Sequence, residues 1–181
     1  MQAVSTEISG VLVLEPRVFG DERGFFFESF NQRVFEDVVG GSFDFVQDNH
    51  SRSERHVLRG LHYQVTRPQG KLVRAIRGAI LDVAVDLRRS SATFGCHVKV
   101  ELSSENKRQM WIPPGFAHGF LALEDATEVV YKTTDYYAPE HERCIRWDDP
   151  DLAIDWGLAV APILSAKDAR AGRLAAADLF D

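Results

Sequence analysis

Period-two alternation dominates this chain. Across residues 80–88, Leu81, Val83, Val85 and Leu87 alternate with Asp82, Ala84, Asp86 and Arg88. Across residues 97–102, Val98, Val100 and Leu102 alternate with His97, Lys99 and Glu101. Both patterns predict half-buried strands. Residues 128–132 predict another. Turn formers punctuate these runs: Pro68-Gln69-Gly70, Arg77-Gly78, residues 103–106 and Pro113-Pro114-Gly115. Many short strands between regular turns predict a mainly β fold, an antiparallel sandwich, jelly roll or barrel. Short helices are expected only at its edges. Asn31 caps one over residues 32–38, stopped by Gly40-Gly41. The alanine-rich stretch 167–179 predicts a second, peripheral one. No internal repeat or long linker interrupts the 181 residues, so a single domain over 1–181 is expected.

Composition narrows the class of function. With 45% hydrophobic and 27% charged residues, the chain reads as an ordinary soluble protein. No segment approaches the roughly 20 apolar residues that span a bilayer, and residues 1–10 lack a signal-peptide pattern. A cytoplasmic protein without membrane partners is expected. Cys96 and Cys144 form no metal-ligand spacing, and two isolated cysteines fit a reducing compartment. A net charge of −6 argues against nucleic-acid binding.

Candidate chemistry concentrates in Val57-Leu58-Arg59-Gly60-Leu61-His62-Tyr63-Gln64 and Gly70-Lys71-Leu72-Val73-Arg74. Histidine is the side chain best suited to moving a proton near neutral pH. Cations beside it suit an anionic substrate or a developing oxyanion. In a regular strand, residues 59 and 61 would share one face, and 60 and 62 the other. Gly60 permits close approach of a ligand or backbone. An ordinary polar strand is the plainer alternative. Gln47-Asp48-Asn49-His50 either grips a polar ligand or forms a solvated turn. In Pro113-Pro114-Gly115-Phe116-Ala117-His118, a rigid turn leads to a histidine that is either core or functional. Cupin-type barrels often bind metal through His-x-His, but here the second position is Gln64, which disfavours a metal site. Tyr131 is either a core aromatic or a general acid. Ser165 and Asp168 have the spacing of a helix cap, and a carboxylate there could also orient a histidine.

Taken in order, these segments resemble one family. They include Asp21-Glu22-Arg23-Gly24-Phe25-Phe26-Phe27-Glu28, Gln47-Asp48-Asn49, residues 58–64 and 70–74, Asp82-Val83-Ala84-Val85-Asp86, Gly115-Phe116-Ala117-His118-Gly119-Phe120, Tyr131-Lys132 and Leu164-Ser165-Ala166-Lys167-Asp168. Together they are similar to the dTDP-4-dehydrorhamnose 3,5-epimerase family, metal-free jelly rolls of cupin type. The resemblance implies epimerisation at C3 and C5 of dTDP-4-dehydro-6-deoxy-D-glucose through enolates. A relative that inverts only one of the two carbons is the alternative. It further implies that His62 is the base, Asp168 its orienting carboxylate, Tyr131 the opposing acid and Lys71 the stabiliser of charge on O4. His118, Arg59 and Lys71 would contact the sugar and diphosphate, Gln47 and Asn49 polar groups, and Tyr137 the thymine ring. Arg23, Phe26, Glu28, Glu142 and Lys167 complete the implied contacts. The equivalents of Arg23 and Glu28 reach in from a neighbouring subunit, which implies a homodimer with composite sites. Neither cofactor nor metal is implied. Ala92 and Gly157 stand where the family often has proline; neither touches a proposed catalytic group.

Overall fold

A computed structural model describes residues 1–181. Two antiparallel sheets pack face to face. One has six strands in the order β1 (Gln2–Ser5), β2 (Leu12–Glu15), β10 (Gln109–Ile112), β7 (Lys71–Arg77), β12 (Thr127–Thr133), β5 (Gln47–Ser53). The other has five: β13 (Glu142–Cys144), β6 (Leu58–Gln64), β11 (Phe116–Ala122), β8 (Ala79–Asp86), β9 (His97–Ser103). A hairpin of β3 (Phe19–Asp21) and β4 (Gly24–Phe26) pairs with neither sheet. The architecture is antiparallel β, as the strand pattern predicts, and the cupin-like jelly roll that the resemblance implies; the strands at 80–88, 97–102 and 128–132 are all present within a residue or two.

Three apolar clusters hold the layers together. Val73, Ile80, Ala84, Val98, Leu102, Met110, Phe116, Phe120 and Val129 meet between the sheets. Outside the six-stranded sheet, α1 (Gln32–Val39) buries Phe35 against Leu14, Leu72 and Trp111. Phe35 meets Trp111 edge-on at 5.1 Å between ring centroids, a geometry that adds about 0.5–1.5 kcal/mol beyond area burial. The helix starts where expected, with Asn31 accepting from Val34 N–H. It ends on Gly40 at φ 73°, a left-handed cap that glycine adopts without penalty.

The third cluster corrects two expectations. Residues 167–179 do not form a helix; they hold two short 3-10 turns, Asp168–Arg170 and Leu174–Ala176. The segment lies across the outer face of the five-stranded sheet and seats Leu174 among Leu61, Val83, Val85 and Leu87. Bridges of Ile145 with Gly172 and Arg88 with Phe180 pin it extended. Tertiary burial thus overrides alanine's helix propensity. The second correction concerns β8, which is buried on both faces rather than half-buried. Val83 and Val85 point outward beneath this tail, whereas Asp82 shares the inward face with Ile80 and Ala84. Alternation here separates a covered apolar face from an inward face that mixes Ile80 and Ala84 with Asp82.

Candidate active site

Polar residues line one end of the barrel, where the inward faces of both sheets bound a cleft of about 570 Å³. From the five-stranded sheet come Arg59, His62, Gln64, His118 and Glu142. From the six-stranded sheet come Gln47, Asn49, Lys71 and Tyr131. Tyr137, Lys167 and Asp168 close the rim.

Arg59 and His62 both face this cleft, which a regular strand forbids. Opposite them on β11, Phe120 pairs with Arg59 and His118 with His62, so β6 carries one extra residue between the pairs. This bulge turns Arg59 to the same side as His62, and the expected division into faces fails there. Gly60 makes it feasible. Its φ is 131°, and a Cβ would stand 2.5 Å from Gly119 Cα.

His62 Nε2 lies 2.5 Å from Asp168 Oδ1. Asp168 is delivered by the tail, whose Ser165 Oγ accepts from Asp168 N–H at 3.1 Å. The expected helix does not follow Ser165; only a 3-10 turn does, and its carboxylate lies within hydrogen-bond reach of His62. Burial alone would raise the Asp168 pKa, but hydrogen bonds from His62 and its neighbours outweigh it and hold the carboxyl below its usual range. With Nε2 committed to Asp168 as donor, the lone pair of a neutral imidazole sits on Nδ1.

A second histidine–carboxylate pair lies beneath the first. His118 Nε2 is 2.7 Å from Asp82 Oδ1, and both side chains are buried. Burial pushes the His118 pKa down, against the pull of Asp82. Nothing local in the chain signals this pairing, because 36 residues and two strands separate the partners. Only the inward parity of β8 and β11 could have shown it.

Lys71 is the buried cation of the site. Its Nζ crosses from one sheet to the other and donates to the His62 carbonyl at 3.3 Å. Desolvation lowers its pKa to about 8, with Asp82 and Glu142 opposing. Tyr131 sits half-buried on the opposite sheet from His62, and desolvation raises its phenol above the usual value and keeps it protonated.

At the rim, Glu142 accepts from Tyr137 Oη at 3.0 Å and from Lys167 Nζ at 2.7 Å. Gln47 Oε1 accepts from Tyr137 N–H at 3.0 Å, while its Nε2 donates to Asn49. Gln64, at the position where a metal-binding relative would have histidine, is fully used in structure. Its Nε2 donates to Arg67 and Tyr136 carbonyls, and its Oε1 accepts from Ala138 N–H. It thereby anchors the loop that carries Tyr137.

Three expected contact residues lie elsewhere in the chain. Arg23 is ion-paired with Asp21 on the free hairpin. Phe26 is 69% exposed. Glu28 accepts from Asn31 Nδ2 at 3.1 Å, at the start of α1. None of them lines the cleft.

A family model described as dTDP-4-dehydrorhamnose 3,5-epimerase matches residues 5–176. The chain belongs to this epimerase family. Among curated relatives, the dTDP-4-dehydrorhamnose 3,5-epimerase of Pseudomonas aeruginosa is 63% identical over 180 residues, covering 99% of each chain. That of Escherichia coli K12 is 58% identical over 171 residues, covering 94% of this chain and 92% of the relative. Among solved structures, an epimerase from Legionella pneumophila in complex with dTDP-4-keto-L-rhamnose superposes with a TM-score of 0.95 at 52% identity, covering 98% of this chain and 94% of the other.

Proposed function

We infer that this epimerase inverts C3 and C5 of dTDP-4-dehydro-6-deoxy-D-glucose, giving dTDP-4-dehydro-L-rhamnose. Both carbons are α to the C4 ketone, so removing either proton gives an enolate stabilised by resonance onto O4. His62 Nδ1 takes the proton. Asp168 fixes the imidazole's tautomer and steadies the imidazolium that forms. Lys71, desolvated and cationic at neutral pH, meets the charge growing on O4. Tyr131 returns a proton from the other face, which inverts the centre. Arg59 and Lys167 take the diphosphate, and Tyr137 stacks on the base with its ring held by Glu142. The gathering of these cations in one cleft reconciles an anionic ligand with a net charge of −6.

The observation that carries this reading is the arrangement across the cleft. A histidine held by a buried carboxylate stands on one sheet, and a protonated tyrosine beside a buried lysine stands on the other. A binding module has no need of an opposed base and acid. The reading extends to a homodimer. The unpaired hairpin exposes Phe19, Phe25 and Phe26, and it carries Arg23, whose side chain is 85% exposed. Docked on a second copy, it brings Arg23, Phe26 and Glu28 to the partner's cleft. Cytoplasmic placement fits two free thiols. No helix is long and apolar enough to cross a membrane.

The deciding experiment is incubation with dTDP-4-dehydro-6-deoxy-D-glucose in D2O, followed by NMR at C3 and C5. Deuterium at both carbons with appearance of the L-lyxo sugar is the expected result. Deuterium at one carbon alone would make this a single-centre epimerase. None at either would refute the reading.

A further inference from the structure

The catalytic pair has a third neighbour that the reaction does not use. Cys144 lies on β13 directly across from His62 in the antiparallel register, although 82 residues of sequence would not suggest it. Its Sγ is 3.5 Å from Asp168 Oδ1, the same oxygen that holds His62 Nε2 at 2.5 Å. Cys144 does not line the substrate cleft. One nitrogen, one sulfur and one carboxylate oxygen thus stand within 4.8 Å of one another.

We propose that His62, Cys144 and Asp168 form a binding site for Zn²⁺, and that its occupancy reversibly switches off the base. Ligands bonded to zinc at about 2.0–2.3 Å lie roughly 3.3–3.8 Å apart in a tetrahedron, so these three atoms are already within about 1 Å of that arrangement. They are supplied by two paired strands and a turn capped by Ser165. Asp168 is buried and Cys144 half-buried, so the ion would sit behind the imidazole, on the side away from the Nδ1 that meets substrate. The nitrogen–sulfur–carboxylate set suits a borderline-soft ion and not magnesium or calcium, which take oxygen ligands.

The chemistry follows from the tautomer. Without metal, Asp168 holds the Nε2 proton and Nδ1 is free to accept. Zinc takes the Nε2 lone pair, so the neutral ring keeps its single proton on Nδ1. The atom that should receive the substrate's proton becomes a donor. The Cys144 thiol, kept protonated by burial beside Asp168 with its pKa at about 12, loses its proton to solvent as the zinc–sulfur bond forms. Arg59, Lys71, Lys167 and Tyr137 stay free to bind the nucleotide sugar. Zinc therefore lowers kcat and leaves KM little changed. The inhibitory part of this proposal rests on His62 being the base; the binding part does not.

The test uses the full-length protein after dialysis against chelator. Co²⁺ titrated without substrate should produce one equivalent of a thiolate-to-cobalt charge-transfer band, which Zn²⁺ abolishes. The band should be missing from Cys144→Ser, which keeps a hydroxyl toward Asp168. In turnover assays Zn²⁺ should lower kcat, and chelator should restore it. Cys144→Ser should need about tenfold more Zn²⁺, or more, for half-inhibition, as expected for losing a thiolate ligand. No charge-transfer band, or equal zinc sensitivity in Cys144→Ser, would overturn the site. A Cys144-dependent band with undiminished turnover would uphold the site and overturn the switch, and with it the assignment of His62 as base.

Discussion

Replacing Lys71 with methionine should make this protein more stable and nearly inactive. The side chain is buried, and its pKa falls from 10.5 to about 8. A difference of about 2.5 units at 1.36 kcal/mol each means that keeping the buried ammonium charged costs about 3 kcal/mol at neutral pH. Methionine fills a similar volume without that charge. It also gives up the hydrogen bond to the His62 carbonyl, a loss of about 1 kcal/mol. A net gain of about 2 kcal/mol remains, equivalent to roughly 4–8 °C in Tm for a chain of this size. The sign with pH is fixed. The folded pKa lies below the unfolded one, so the penalty is complete below about pH 8 and vanishes as pH rises toward 10.5. Urea unfolding of both proteins at pH 7 and at pH 10, at one protomer concentration, measures it. The advantage should be largest at pH 7 and should shrink at pH 10. A variant less stable than the parent at pH 7, or an advantage that ignores pH, would refute the desolvation argument. Turnover should fall by about 10²–10³ if Lys71 meets charge on O4.

Three other substitutions probe separate parts of the site and fold. Asp168→Asn removes a charge-assisted hydrogen bond of about 2 kcal/mol, so kcat should drop roughly thirtyfold with little change in KM; a kcat within twofold of the parent would exclude the orienting role. Tyr131→Phe should suppress product formation more than solvent exchange at the reacting carbons, measured together by NMR in D2O, and equal losses would contradict a one-sided acid. Asp86 is buried, which opposes ionisation, but Arg88, Ser91 and Thr93 hold its carboxyl down to about 2. Asp86→Asn should therefore cost about 2 kcal/mol at pH 7, and the gap in urea stability should close as pH falls from about 4 toward 2; a gap constant with pH would disprove the assignment.

Much of this molecule could be read from the chain because a barrel lined by side chains writes its register as period two. Strands β8, β9 and β12 announced themselves that way, and α1 did so through Asn31 and Gly40. What escaped was whatever depends on pairing between distant strands. Asp82 looked like the solvent side of an amphipathic strand, but the tail covers the other face and turns that aspartate toward His118. Cys144 met His62 only through strand register. Arg59 joined the cleft through a bulge that no local pattern encodes. The stretch 167–179 misled because propensity is a local quantity, whereas Leu174 and Phe180 are placed by a surface more than fifty residues away in sequence. Tyr131 was legible for the opposite reason: it lies on the inward face of a strand, β12, that its own alternation marks.

The extended tail also divides the enzyme into two parts with unequal duties. In the reading proposed above, the sheets supply most of the surface for the nucleotide sugar, and the tail brings in Lys167 and the carboxylate that readies the base. A molecule that lost the tail from residue 167 would keep Arg59, Lys71 and Tyr131 but lose Lys167 and the partner of His62. Such a remnant would occupy substrate more weakly, through the sheet residues alone. In the dimer proposed above it would still lend its hairpin to an intact neighbour, yet turn over nothing itself. Proteolytic damage in this region would then convert a catalyst into a sink for its own substrate, so integrity of the tail is a condition of flux as well as of structure.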